Sequence, residues 1–386
     1  MYPQPDPYAF VAPPPAPPRR RTGLVVGASA LVVSAAVVAA ALSGLGHSPV
    51  VNGSGSTVQS GPSMDRQGGG SRVPNGSGGT TTGTATAAQQ IGVVDITTVL
   101  KYQGAKAAGT GMVLTSRGEI LTNNHVIYGA TSISVQVVTT GKTYPATVVG
   151  TAPTKDIAVL QLQNASGLQT ADLGDSADLK IGAAVTGVGN AGGVGGTPSA
   201  APGTVTALNQ ELTASDGNGD NAERLTGMIE TDAQIQAGDS GGPLFDSDDR
   251  VIGMDTAASA SAVRAPVGFA IPINTATAIA DQIEAGQASA TIHIGYPGFL
   301  GLSITDNLSS SGALVQSVLA GGPAANAGIS AGDVITDVGG TAVGSSTALR
   351  SAMSAHRPGQ TVPVTWVDRS GQSHRASVTL ATGPAD

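Results

Sequence analysis

GDSGGPLF, residues 238–245, sets a serine among glycines: Gly238 precedes Ser240 by two positions, and Gly241 and Gly242 follow it directly. Glycine permits a tight backbone turn that gathers N–H groups beside the serine oxygen, as an acyl-transfer nucleophile needs. A serine hydroxyl is a weak nucleophile until a base takes its proton. Two stretches upstream supply candidates. ILTNNHVI, residues 120–127, carries His125 at the end of an apolar strand, and KDIAVLQL, residues 155–162, carries Asp156 just before a run with the composition of a buried strand. A carboxylate entering a core needs a hydrogen-bonded partner, since leaving it unpaired costs several kcal/mol. The three fit named roles. Ser240 would attack a carbonyl, His125 would take its proton and deliver it to the leaving amine, and Asp156 would hold the imidazole in the right tautomer. The N–H groups of Gly238 and Ser240, with Asp239, would supply the oxyanion hole.

GDSGG also satisfies G-x-S-x-G, the nucleophile elbow of a strand–helix alternating hydrolase, but that fold places its acid and histidine after the serine. Here the order is His, Asp, Ser, and the surrounding segments are short, β-branched and punctuated by Gly, Asn, Asp or Pro: GMVLT, SISVQVV, YPATVVG, IAVLQL, AAVTGVG, GTVTALN, RVIGMDT, GFAIPI. Many short strands at this spacing predict antiparallel barrels. NTATAIADQIEAG is the first helical pattern, with Ile279, Ala280 and Ile283 on one face and Asn274 as its N-cap. Beyond it a unit of 99 residues, 288–386, mixes strands with the helical stretches PAANAG and SSTALRSAMSAH, an α+β pattern.

Composition narrows the function classes. The 386 residues include no cysteine, which removes Cys nucleophiles, thiolate metal sites and disulfides, and the formal charge of −8 argues against nucleic acid as a partner. Residues 1–21 are Pro-rich and end in Arg19, Arg20 and Arg21, a pattern of a disordered tail. Leu24 to Leu45 is a run of 22 positions without a charge, long enough as a helix to cross the roughly 30 Å hydrocarbon core. The expectation is a transmembrane helix over 22–45, N-terminus cytoplasmic by the positive-inside rule, with everything after it extracytoplasmic. Residues 46–90, rich in Gly, Ser and Thr, read as a flexible linker.

The strings TNNHVI, KDIAVL, GDSGGPL and GFAIPI together resemble the trypsin-like serine proteases of the HtrA (high-temperature-requirement) family, and YPGFLGLSI with GALVQSVLAGGPAANAGISAGDVITDVGG resembles a PDZ domain. The resemblance implies an all-β, chymotrypsin-like double β-barrel protease domain over 91–287 and a small α+β PDZ domain over 288–386. By implication the chain is a serine endopeptidase acting on unfolded or damaged extracytoplasmic proteins. It would carry no cofactor or metal and assemble as a homo-oligomer, commonly a trimer. A PDZ-bearing chaperone or adaptor with a latent protease domain is the alternative. The excess of Arg over Lys, 13 against 5, fits a member from high-GC Gram-positive bacteria. Leu300-Gly301-Leu302 would receive a peptide carboxylate, the peptide adding a strand to the sheet edge.

Several residues depart from the pattern or mimic other sites. Many relatives carry Asn where this sequence has Asp239, so what Asp239 pairs with is open. By resemblance to trypsin-type pockets, Gln234, six positions before Ser240, argues against Lys or Arg at the cleaved bond, and Thr256, Ala257 and Ala258 suggest a shallow pocket for small aliphatic side chains. Residues 187–192 match G-x-G-x-x-G, but prolines at 198 and 202 follow where a dinucleotide site needs a helix, so a loop near the active site is expected. Asp216, Asn218 and Asp220 echo a calcium loop that lacks its Gly and its closing Glu, and read as a solvated loop.

Overall fold

The computed structural model describes residues 32–35, 82–216, 223–256, 267–307 and 311–386. β-Branched alternation builds the first barrel from β1 (Val93–Leu100), β2 (Ala105–Val113), β3 (Glu119–Thr122), β4 (Ser132–Val137), β5 (Thr143–Ala152) and β6 (Ile157–Leu162). Their order, β5-β4-β1-β2-β3-β6, closes because β6 pairs back with β5 from Ala146↔Leu162 to Ala152↔Ile157. Closure removes the exposed edges of the sheet. Inside lie Val94, Ile96, Ile120, Val135 and Leu160, all fully buried.

The second barrel repeats the scheme with β7 (Ala184–Gly189), β8 (Ser199–Asp216), β9 (Glu223–Thr231), β10 (Pro243–Phe245), β11 (Val251–Thr256) and β12 (Gly268–Pro272). Strand order is β8-β9-β12-β11-β10-β7, and β7 closes onto β8 through Ser199↔Gly189. One apolar cluster joins the barrels. Met112, Leu121, Ile157 and Val159 of the first pack in the same group as Val188, Phe245, Met254 and Phe269 of the second, each burial contributing roughly 1.5–3 kcal/mol. This shared core joins the barrel that carries His125 and Asp156 to the barrel that carries the Ser240 turn.

Helix α1 (Asn124–Ile127) is a single turn in the first barrel, and α2 (Ile273–Glu284) packs Ile273, Ala276, Ala280 and Ile283 into the shared core. The face of α2 is the expected one; its start is not. The N-cap position is Pro272 with no side-chain cap, because the Asn274 side chain is drawn instead to Asp175 and Ser176. The linker also ends earlier than residue 90. Gly83–Thr84 pairs antiparallel with β8, and Ala85 is buried with its N–H donated to Pro198 O at 2.9 Å, so a small apolar side chain anchors this stretch.

The third region forms a sheet of β13 (Leu302–Asp306), β14 (Ala313–Val318), β15 (Val334–Val338), β16 (Thr361–Val367) and β17 (Ser373–Thr379), in that spatial order. Helices α3 (Pro323–Asn326) and α4 (Ser346–Ser354) flank it, α4 capped by Ser345, whose hydroxyl accepts the Ala348 N–H at 3.1 Å. The closing segment then returns to the first barrel. Gly129 N–H donates to Ala385 O at 2.8 Å and Ala385 N–H to Ala130 O at 2.9 Å. The Asp386 carboxylate accepts from Thr151 and lies 2.6 Å from His293 Nδ1.

Of the apolar run expected to cross a membrane, Val32–Ala35 is described, as an extended piece paired in parallel with Thr213–Asp216. The rest of the expected helix over 22–45, the Pro-rich tail and most of the linker lie outside the described residues. No helix among the described residues is long and apolar enough to cross a membrane.

Candidate active site

Strand β3 ends at Thr122 and the chain turns into α1, which carries His125 toward the end of β5 and the start of β6. There a turn at Pro153–Lys155 stops at Asp156, held in the left-handed region at φ 54°, a conformation that Asp tolerates better than most residues. The turn delivers the carboxylate to the histidine. Its oxygens lie 2.9 and 3.0 Å from His125 Nδ1, and one also accepts the His125 backbone N–H at 3.0 Å. An acceptor on both sides of Nδ1 assigns the ring proton there and leaves Nε2 to act as base. Asp156 is 3% exposed. The Asn123 side chain donates to its carbonyl at 3.0 Å and the Thr256 hydroxyl to its carboxylate at 3.4 Å.

Ser240 lies on the turn leading into β10 and is buried. Gly238 and Gly241 flank it at φ 101° and 86°. Neither site has room for a side chain: a Cβ would stand 2.1 Å from Asn190 O at the first and 2.2 Å from Thr110 O at the second. Thr110 of β2 grips the turn, its N–H donating to Ser240 O at 2.9 Å and its hydroxyl to Gly238 O at 2.7 Å. That hydroxyl also accepts the Asn190 N–H, and Gly192 N–H donates to Ala237 O. The glycine-rich loop after β7 therefore braces the Ser240 turn. It forms only a short turn at Ala191–Gly193, without the helix a dinucleotide phosphate would need.

Asp239 points away from the turn's surface and is 3% exposed. Its carboxylate accepts the Gln236 N–H at 2.8 Å and the Ser199 hydroxyl at 3.2 Å, while burial pushes its pKa up to about 6. Those donors answer what it pairs with. Gln234 is half-buried before the turn. Thr256, expected to shape a substrate pocket, spends its hydroxyl on Asp156; Ala257 and Ala258 lie outside the described residues, as do Asn218 and Asp220. No linear signal marked Thr110, Asn123, Asn190 or Ser199 as braces of the site, and Thr256 was marked only as a pocket residue, because each reaches its partner only through strand pairing or loop packing. No group of three or more His, Asp or Glu among the described residues could hold a metal ion.

In the third region Leu300 is buried in the core, Gly301 has φ 78°, and Leu302 opens β13, whose outer edge has no paired strand among the described residues. The residue before Leu300, Phe299, stacks on Tyr102 of the first barrel with centroids 5.3 Å apart.

Comparison with known proteins agrees with this layout. A trypsin-like peptidase domain model matches residues 109–254 and a PDZ domain model residues 298–380. Serine protease PepD of Mycobacterium tuberculosis is 37% identical over 289 residues, 70% of this chain and 60% of that protein, so the chain spans less than two thirds of that relative. Serine protease Do-like HtrA of Lactococcus lactis is 36% identical over 309 residues, 73% of this chain and 75% of that protein. A trypsin-like peptidase match followed by a PDZ match, together with a relative aligned over 73% of this chain and 75% of its own length, shows that the chain belongs to the HtrA family of serine proteases.

Proposed function

We propose that this chain is a serine endopeptidase that hydrolyses peptide bonds of unfolded or damaged polypeptides outside the cytoplasm. The observation that carries the reading is the buried Asp156 carboxylate bridging both N–H groups of His125 at 2.9–3.0 Å beside the Ser240 turn. Ser240 Oγ attacks the scissile carbonyl carbon, its proton passing to His125 Nε2, and the carbonyl electron pair moves onto oxygen. The N–H groups of Gly238 and Ser240 serve as donors to that oxyanion, one such donor contributing roughly 3–4 kcal/mol; the Asp239 N–H, expected to join them, donates instead to Gln236 O at 3.0 Å. His125 then protonates the leaving amine, and water repeats the sequence to free the acid.

The PDZ unit binds an extended peptide along β13, with Leu300, Gly301 and Leu302 at its carboxylate end, or gates the protease. Assembly as a homo-oligomer, a trimer by family resemblance, and anchoring through Leu24–Leu45 complete the reading. The 22 uncharged positions after Arg19–Arg21 support the anchor, and detergent-dependent release from membranes tests it against the strand pairing of Val32–Ala35. The test of the activity is degradation of a loosely folded protein by the full chain beside Ser240→Ala. The expected loss is about 10⁶ in rate; suppression of aggregation by both forms without cleavage by either would favour the chaperone reading.

A further inference from the structure

Two carboxyl groups lie buried behind the Ser240 turn, with no cation between them among the described residues. Asp255 of β11 is fully buried, and neither of its oxygens has a hydrogen-bond partner in the structure. It faces Gly187, where a Cβ would come within 2.8 Å of its Oδ2, and its close charged neighbour is Asp239. The backbone of Asp255 is tied to the turn in both directions: Gly241 N–H donates to Asp255 O, and Asp255 N–H donates to Gly242 O, each at 2.8 Å. The next residue, Thr256, holds the Asp156 carboxylate. Asp255 therefore sits where the nucleophile turn meets the acid of the candidate triad.

Among the described residues the surroundings offer no counter-ion. Residues 184–189, 199–203, 243–245 and 268–272, the strand segments packed around the pair, contain no charged side chain. The segment before the turn contributes Asp232, engaged by Thr204, and the neutral Gln234 and Gln236. Asp95 of β1 lies under the glycine-rich loop, and His125 with Asp156 lies beyond Thr256. Two like charges in so apolar a place cannot both be ionised without a large desolvation and repulsion penalty. Asp239 has two donors and is suited to carry the charge; Asp255 has none at hydrogen-bond geometry and is suited to carry a proton. Burial and the Asp239 charge push Asp255 well above the ordinary carboxylate range, with only the nearby Val188 N–H opposing them.

We propose that Asp255 is a neutral acid at physiological pH that, with Asp239, positions the Ser240 turn, and that loss of its proton sets an alkaline limit on turnover. When the Asp255 O–H bond breaks, the proton leaves to solvent and two facing carboxylates remain beneath the turn. Their repulsion pulls at Gly241 and Gly242 through the backbone bonds of Asp255 and at Asp156 through Thr256. Asp255 is thus a positioning residue, and the activity arm of this proposal rests on the protease reading above.

Infrared spectroscopy of the full chain as Ser240→Ala, which does not digest itself, tests the acid without using activity. At pH 8 Asp95 and Asp239, both pushed only to about 6, are ionised. A protonated-carboxyl band is expected to persist there and to vanish in Asp255→Asn. Its absence at pH 8 would overturn the proposal whatever becomes of the protease. In the active protein, Asp255→Asn is expected to move the alkaline limb of the kcat profile up by at least one pH unit; an unshifted limb would also overturn it. Should Asp255→Asn fail to fold, Asp239→Asn serves instead: removing the facing charge is expected to lower the pH at which the band disappears, and an unchanged pH would refute the coupling.

Discussion

Asp156 meets His125 at both its ring and backbone N–H groups, so its charge orients as well as stabilises the base. Asp156→Asn keeps the shape but presents an amide to Nδ1, and a fall of about 10⁴ in kcat is expected with little change in KM, to be read from steady-state cleavage of an unstructured peptide. Thr256→Val removes a long, 3.4 Å hydrogen bond to the same carboxylate. A bond to a charged group contributes about 1.5–3 kcal/mol at good geometry, and at this length the lower end applies, so a loss of roughly 10-fold in kcat is expected. Gly238→Ala is the severe case. Its Cβ would stand 2.1 Å from Asn190 O at a φ of 101°, so the turn must move, and kcat should fall by about 10²–10³, the effect of losing one oxyanion donor. His125, Asp156 and Ser240 stood out in the sequence because each occupies an anomalous place: a histidine ending an apolar strand, an acid entering a core, a serine among glycines. Asp255 did not, and Thr256 stood out only as a pocket residue, since a Thr or Asp at the end of a strand has no linear mark of what it touches across the sheet.

The strands were legible as elements because period-two β-branched patterning survives without context, and the short loops left little room for another topology. The turn chemistry was not. Asn274 has the side chain of an N-cap, yet Asp175 and Ser176 compete for it across 98 or 99 residues of chain. The return of Ala385 and Asp386 to the first barrel was equally hidden, because one small and one short polar residue carry no hydrophobic signature. That return ties the PDZ unit to the barrel. Asp386→Ala removes the contacts to Thr151 and His293, and a loss of about 1–2 kcal/mol is expected in a denaturant titration of the full-length Ser240→Ala protein. Earlier proteolysis between residues 285 and 300 should accompany it, whereas an unchanged cleavage pattern would show the tie to be dispensable.

Across the whole molecule, buried carboxyls make stability depend on pH in a direction opposite to that of a salt-bridged acid. Burial raises Asp95 and Asp239 from 3.8 to about 6. The folded state then binds protons that the unfolded chain has already released, so stability falls as pH rises from about 4 through 6 and stays reduced above it. After discounting for partial solvation the two together are expected to cost about 1–3 kcal/mol at neutral pH. Thermal melts of the Ser240→Ala protein should therefore show a higher Tm at pH 5 than at pH 7.5, and Asp95→Asn should narrow that gap. The shared core of Met112, Leu121, Phe245 and Phe269 holds the barrels against this cost. It also explains why a buried acid can persist beside the nucleophile turn, since the turn is braced from β2, from the glycine-rich loop and from β11 at once.

The claim on which everything else depends is that Ser240 is a nucleophile activated by the His125–Asp156 pair. Labelling the full chain with a fluorophosphonate and mapping the adduct by peptide mass measures this directly. One phosphonyl group on Ser240, abolished by His125→Ala, is the predicted result; a wild-type protein that takes up no label, or takes it up on another residue, would contradict the account.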